Sequence, residues 1–127
     1  MRWLLDSNVV IDALVGLPHG TRVLREAHSR PGVLVVFSAV TRLEVLGFPK
    51  LDPKEEAAIR TLLNEFEEIP ISNAVIEQAL IRRSVRIKIP DALIAASAQI
   101  AQAIVVTRNT GDFQSVNGLT VVHPDDV

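Results

Sequence analysis

At 127 residues, 48% hydrophobic and with a mean hydropathy of +0.28, the chain can build one domain around a dense core, which argues against disorder. It has no cysteine, which excludes disulfides and thiolate zinc sites. Its formal net charge of -2 excludes nucleic-acid binding by bulk charge, so any such role must rest on local basic patches.

No apolar run reaches the roughly 18 residues of a membrane span, and Asp6 and Asp12 interrupt any signal-peptide core. A cytoplasmic protein is expected. Met1 to Leu5 reads as a short buried strand. Ser7 or Asn8 is the expected cap of a helix through Val9, Val10, Ile11, Ala13, Leu14 and Val15, which Gly16 and Pro18 end. A more polar helix is expected over Thr21 to Ser29, then a turn at Arg30-Pro31-Gly32. Val33 to Phe37 is β-branched and uncharged, and predicts a fully buried strand.

Ser38 predicts an N-cap for a helix over Ala39 to Leu46, closed by Gly47 and Pro49. Asp52-Pro53-Lys54-Glu55-Glu56 combines a cap, an early proline and acids in the first turn, and predicts a helix to about Glu65. Ile69-Pro70-Ile71 reads as a short strand or extended link, and Ser72 or Asn73 starts a helix to about Val85. Pro90 begins another, from Asp91 to about Ala103, apolar nearly all round and so expected to be central. Ile104 to Thr107 is a predicted strand, Arg108 to Phe113 a polar loop, and Leu119 to Val122 the last strand. Strands alternating with helices predict a three-layer α/β/α sandwich with a central parallel sheet of four to five strands. No linker or repeat divides residues 1–127.

Four acids attract attention by position. Asp6 follows the first strand. Glu44 lies in a helix whose other middle residues are mostly apolar. Asp91 is in the first turn of the apolar helix, and Asp112 is in the loop after the fourth strand. Each has an ordinary reading: Asp6 as the neighbour of a cap, Glu44 as a solvated helix acid, Asp91 as a partner of the helix dipole, Asp112 as a turn residue. Together they are different, because in a parallel sheet these positions share one rim. Like charges about 4 Å apart cost on the order of 4 kcal/mol at an effective dielectric near 20. Either some acids protonate or a cation binds. All-oxygen ligands suit Mg²⁺ or Mn²⁺ rather than zinc, and such ions activate water for phosphoryl chemistry. Ser7, Thr107 and Asn109 are the neutral groups placed to support them.

Four stretches also resemble one family in order and spacing: Leu4-Leu5-Asp6-Ser7-Asn8-Val9 with Ile11-Asp12, Ser38 to Gly47, Pro90 to Ala98, and Val106 to Phe113. The chain resembles a PIN domain, and within it the VapC-type toxin ribonucleases of toxin–antitoxin pairs. The resemblance implies a PIN-like α/β/α fold and Mg²⁺- or Mn²⁺-dependent endonucleolytic cleavage of RNA. It implies a homodimer inhibited by a small antitoxin. It makes Asp6, Glu44, Asp91 and Asp112 the catalytic acids. Asn109 stands where some relatives carry another acid, which leaves the fourth ligand open between Asn109 and Asp112. Asp12 matches a frequent acid of the first helix and is read as structural or peripheral.

The expected mechanism is hydrolysis, with Asp6, Asp91 and Asp112 as metal ligands and Glu44 orienting the attacking water. The resemblance implies products with 5′-phosphate and 3′-hydroxyl ends. His19, His28 and His123 lie in unrelated segments, so no histidine pair is expected for a metal-free route. Arg82, Arg83, Arg86 and Lys88 precede Asp91, Arg42 is near Glu44 and Arg108 adjoins Asn109. A basic rim of Arg42, Arg86, Lys88 and Arg108 is the expected RNA contact. Val10, Leu14, Val45, Leu46 and Phe48 are more apolar than two short helices need, and ordinary core is the plain reading of each alone. The resemblance further implies a groove there for an antitoxin segment, and an antitoxin arginine that reaches the acids.

A haloacid-dehalogenase-type phosphatase would need an acid at position 8, where Asn8 stands. A receiver domain would leave Glu44 and Asp91 unexplained, and no glycine-rich loop supports nucleotide binding. The remaining alternatives are a degenerate RNA- or protein-binding module of the same fold and a housekeeping RNA-processing nuclease.

Overall fold

A computed structural model describes residues 1–127. Five strands alternate with six α-helices: β1 (Arg2–Leu5), α1 (Ser7–Leu14), α2 (Pro18–Ser29), β2 (Leu34–Ser38), α3 (Ala39–Leu46), α4 (Pro53–Leu63), β3 (Glu67–Ile69), α5 (Asn73–Ala79), α6 (Ile89–Ala101), β4 (Ala103–Val106) and β5 (Val121–Val122). All pairings are parallel, in the order β3-β2-β1-β4-β5. Strand order therefore reverses direction at β1. The chain steps outward through β2 to β3, then returns to β1's other side for β4.

Side chains alternate across the strands and build two cores. Leu4, Val36 and Val105 point to the layer of α5 and α6, packing with Val75, Ile94, Ala95 and Ala98. Trp3, Leu5, Phe37 and Val106 point the other way, against Val9, Val10, Val23, Ile59 and Leu63 of α1, α2 and α4. Helix α3 sends Val40 to the first core and Val45 to the second. This is the expected three-layer sandwich. Helix α6 buries Ala92, Ile94, Ala95, Ala96, Ser97 and Ala98, as its apolar composition predicts, although Ile89 and Ile100 remain exposed.

Several boundaries differ from expectation. Pro18 opens α2 rather than ending α1, because a proline in the first turn needs no amide donor. Strand β2 is not fully buried, since Leu34 at its start is exposed. Strand β3 is Glu67–Ile69, not Ile69 to Ile71; it is an edge strand, where charged side chains are tolerated. Helix α5 ends at Ala79 and tightens into a 3-10 turn, Leu80–Arg83, instead of reaching Val85. The Asp52–Glu55 capping box forms as the sequence indicates, with Glu55 N donating to Asp52 Oδ1 at 2.7 Å.

Candidate active site

In an open parallel sheet, the crevice at the carboxyl ends of the strands where the order reverses is the natural ligand position. Here that crevice lies beyond β1 and β4. Asp6 follows β1 directly and is buried, at 6% exposure. It is itself the N-cap of α1, a role expected of Ser7 or Asn8; its Oδ1 accepts from Ser7 N at 2.8 Å. The same carboxylate therefore serves both helix and crevice.

Its other oxygen is held from β4. Thr107, fully buried, donates from Oγ1 to Asp6 Oδ2 at 2.8 Å. Asn8 Nδ2 donates to Asp6 Oδ2 and to Thr107 Oγ1, both at 3.2 Å, and Asn8 Oδ1 accepts from Arg108 N at 3.2 Å. Asn109 N donates to Thr107 Oγ1 at 3.1 Å. Asn8 thus locks the loop after β4 to the start of α1. Sequence alone gives Asn8 no bridging role, because its partners Thr107 and Arg108 lie about a hundred positions away.

Ser7 Oγ donates to Glu44 Oε1 at 2.6 Å and contacts Thr41 Oγ1 at 2.9 Å. A hydroxyl has one proton, so Thr41 is then the donor to Ser7. This fixes Glu44, otherwise on an exposed face of α3, beside Asp6. Thr41 is a second supporting residue to which the sequence reading gave no role; its partner Ser7 lies 34 positions away.

The electrostatics show four acids sharing one field. Burial pushes the Asp6 carboxyl up, hydrogen bonds from Thr107 and Ser7 pull it down, and the Glu44 and Asp112 charges push it up again. Asp91, in the first turn of α6, is pushed up to about 6 by burial first, then by Asp6, Asp112 and Glu44, with Lys88 opposing. The helix dipole favours its ionised form, but burial and three like charges outweigh it. Neither Asp6 nor Asp91 forms a salt bridge; the nearby cations pair elsewhere or line the rim. Asp112 follows Asn109 in a 3-10 turn, Thr110–Phe113, whose Phe113 is buried in the core. Its amide donates to Asn109 O at 3.0 Å.

A cleft of about 370 Å³ joins Asp91 and Asp112 to Arg82, Arg86, Lys88, Ile87 and Gly111. Three cations therefore stand on the wall beside two of the acids. The other two expected rim residues are engaged differently. Arg42 binds Glu68 through Nε at 2.5 Å, on the β3 side. Arg108 Nε binds the buried Asp12 Oδ2 at 2.8 Å, which gives Asp12 a structural role. Of the expected apolar patch, Leu14, Val45 and Phe48 line one groove with Ile11, Val15, Leu51 and Ile59. Val10 is core instead, at 1% exposure, and Leu46 lines a separate hollow with Arg42.

Fold and site together define a class: a parallel α/β/α domain with a carboxylate cluster at its topological switch point. The profile of the PIN domain matches residues 3–119. The chain belongs to the PIN domain family. Among solved structures it is similar to a toxin–antitoxin complex from Klebsiella pneumoniae, with 32% identity over 98% of each chain and a TM-score of 0.77. It is similar to FitAcB from Neisseria gonorrhoeae, with 27% identity over 98% of this chain and 99% of that one, and a TM-score of 0.74. DNA-bound VapBC from Salmonella typhimurium shares the fold, with 18% identity over 98% of each chain and a TM-score of 0.80. No curated protein matches in sequence.

Proposed function

We propose that this chain is a divalent-metal-dependent endoribonuclease, the toxin of a type II toxin–antitoxin pair. The observation that carries the reading is the buried Asp6 facing the same crevice as the half-buried Asp91. Both carboxyls are raised by burial first and then by neighbouring acids, neither forms a salt bridge, and a basic cleft opens beside Asp91. The similarity to toxin–antitoxin complexes supports the physiological role.

The donor set fits a hard cation. Oxygen ligands with no nitrogen or sulfur suit Mg²⁺ or Mn²⁺, and Mg²⁺ in particular keeps several waters and uses only one or two carboxylates directly. Asp6, Asp91 and Asp112 would hold it, and when bound it would supply an activated water and charge neutralisation at the phosphate. Thr107 and Asn8 keep Asp6 aimed into the crevice. Ser7 and Thr41 hold Glu44 at its edge, where its carboxylate would orient the attacking water or accept a proton from it. Arg82, Arg86 and Lys88 attract the phosphate backbone. The groove of Leu14, Val45 and Phe48 is the proposed seat of the antitoxin segment, and a second copy of the chain completes a homodimer.

Product ends test the chemistry. Attack of water at phosphorus with the 3′-oxygen leaving breaks the P–O3′ bond and yields 5′-phosphate and 3′-hydroxyl ends. A 2′,3′-cyclic phosphate product would reject the metal-assisted route in favour of internal attack by the ribose hydroxyl.

A further inference from the structure

The histidines that look unrelated along the chain do not all stay apart. His19, in the first turn of α2, meets His123, which precedes a 3-10 turn over Pro124–Asp126; their ring centroids are 5.3 Å apart and the rings perpendicular. Asp125 joins both. His19 Nε2 lies 3.3 Å from Asp125 Oδ1, and His123 Nδ1 lies 3.5 Å from Asp125 Oδ2. One ligand atom from each residue lies within 4.8 Å of the other two. Ligand atoms about 2.0–2.1 Å from a tetrahedral ion stand roughly 3.4 Å apart. Asp125 already stands about that far from each ring nitrogen, through Oδ1 toward His19 and through Oδ2 toward His123.

His123 Nδ1 accepts from Asp125 N at 3.1 Å and stands 3.5 Å from Asp125 Oδ2, so this ring nitrogen is turned toward Asp125. The scaffold is held independently of any ion: Arg22, one turn beyond His19, donates to Pro124 O at 2.5 Å and to Val127 O at 3.0 Å.

We propose that His19, His123 and Asp125 form a second cation site, specific for a late first-row divalent ion such as Zn²⁺. Imidazole nitrogens favour zinc, nickel and copper over magnesium and manganese, the reverse of the carboxylate crevice. The ion would take the lone pair that Asp125 N–H now holds. Both imidazoles are half-buried and the carboxylate is exposed, which leaves an open side for a fourth ligand, water or a group from outside. The bound ion fastens the turn Pro124–Asp126 to α2.

The test is a Zn²⁺ titration against a chromophoric chelator, with Mg²⁺ in large excess to occupy the carboxylate crevice, and size measured alongside. The site predicts one zinc per chain with the chain's size unchanged. Asp125→Asn, at an exposed position, and His19→Gln each weaken zinc by at least about tenfold, while Asp91→Asn leaves it within twofold. Unchanged zinc affinity in both ligand variants overturns the site and leaves only His–Asp contacts. Loss of zinc in Asp91→Asn places the ion in the crevice, and zinc bound only on self-association makes it a bridge between molecules. Either result also overturns the proposal.

Discussion

Thr107 Oγ1 donates to Asp6 Oδ2 at 2.8 Å, from a side chain with no solvent exposure. The bond joins the ends of two adjacent parallel strands, β1 and β4, and sets the direction of the most buried acid in the crevice. Thr107→Val keeps the shape and removes the donor. Asp6 then loses the hydrogen bond that most opposes its raised carboxyl. The expected loss of stability is about 1–3 kcal/mol, read from urea denaturation. The pH at which activity is half-maximal should move upward. An unchanged pH profile would mean that Thr107 supports only packing.

The raised Asp91 gives a pH signature with a definite sign. Its carboxyl titrates near 6 in the folded chain against an ordinary 3.8. Between those values the folded chain binds a proton that the unfolded chain has released. The stabilisation is full below about 4 and is lost as pH rises through about 6; Asp6 acts in the same direction. Without metal, the melting temperature of wild type relative to Asp91→Asn should therefore fall between pH 5 and pH 7.5. Saturating Mn²⁺ should reverse the fall, because it binds the ionised form. A wild-type advantage that grows with pH in chelator would show that Asp91 is stabilised as an anion by the protein alone.

The four basic residues expected at the rim should separate into two behaviours. Arg86→Ala and Lys88→Ala should each weaken RNA binding severalfold and lower the salt slope by about 0.7 for a single-stranded substrate, with stability unchanged. Arg42→Ala should change binding little, because Glu68 already holds that guanidinium away from the cleft. Arg108→Ala strands the buried Asp12 carboxylate and should destabilise the fold by about 1–3 kcal/mol, discounted for the half-exposed arginine. Equal salt slopes across all four variants would remove the rim from the account.

Helices α1 and α2 touch backbone to backbone at Gly20. A Cβ there would stand 2.1 Å from Ala13 N and 2.6 Å from Ala13 Cα, with no flexible side chain to give way. Gly20→Ala should cost about 3 kcal/mol or more and, by displacing α1, disturb Ser7 and Asn8. Thermal melting checks it; a shift under a degree would show that the helices separate easily.

The parts of this fold legible in the sequence are those specified locally. Trp3-Leu4-Leu5 announces a buried strand, Asp52-Pro53 with Glu55 a capped helix, and the run from Ala92 to Ala98 a covered one. The acids were legible as positions, because each follows a strand or occupies a helix beside the rim. What was not legible depends on contacts distant in sequence. Asn8 and Thr41 matter through partners on other elements. Arg42 and Arg108 were cations near acids in sequence, but Glu68 and Asp12 claim them in space. His19 and His123 meet only because α2 and the turn after β5 pack together. Pro18 was misread because a proline ends one helix and starts the next with equal local logic.

The central claim is that Asp6, Asp91 and Asp112 would hold a divalent cation, with Glu44 beside it to orient water, for RNA hydrolysis. Its most direct test is cleavage of a mixed RNA pool by wild type and Asp6→Asn, in Mg²⁺, in Mn²⁺ and in EDTA. The account predicts cleavage by wild type with either ion, none in EDTA, and at least a hundredfold loss in Asp6→Asn, about 2.7 kcal/mol of transition-state stabilisation. Cleavage that persists in EDTA, or that survives Asp6→Asn, would contradict it, as would the absence of cleavage with either ion.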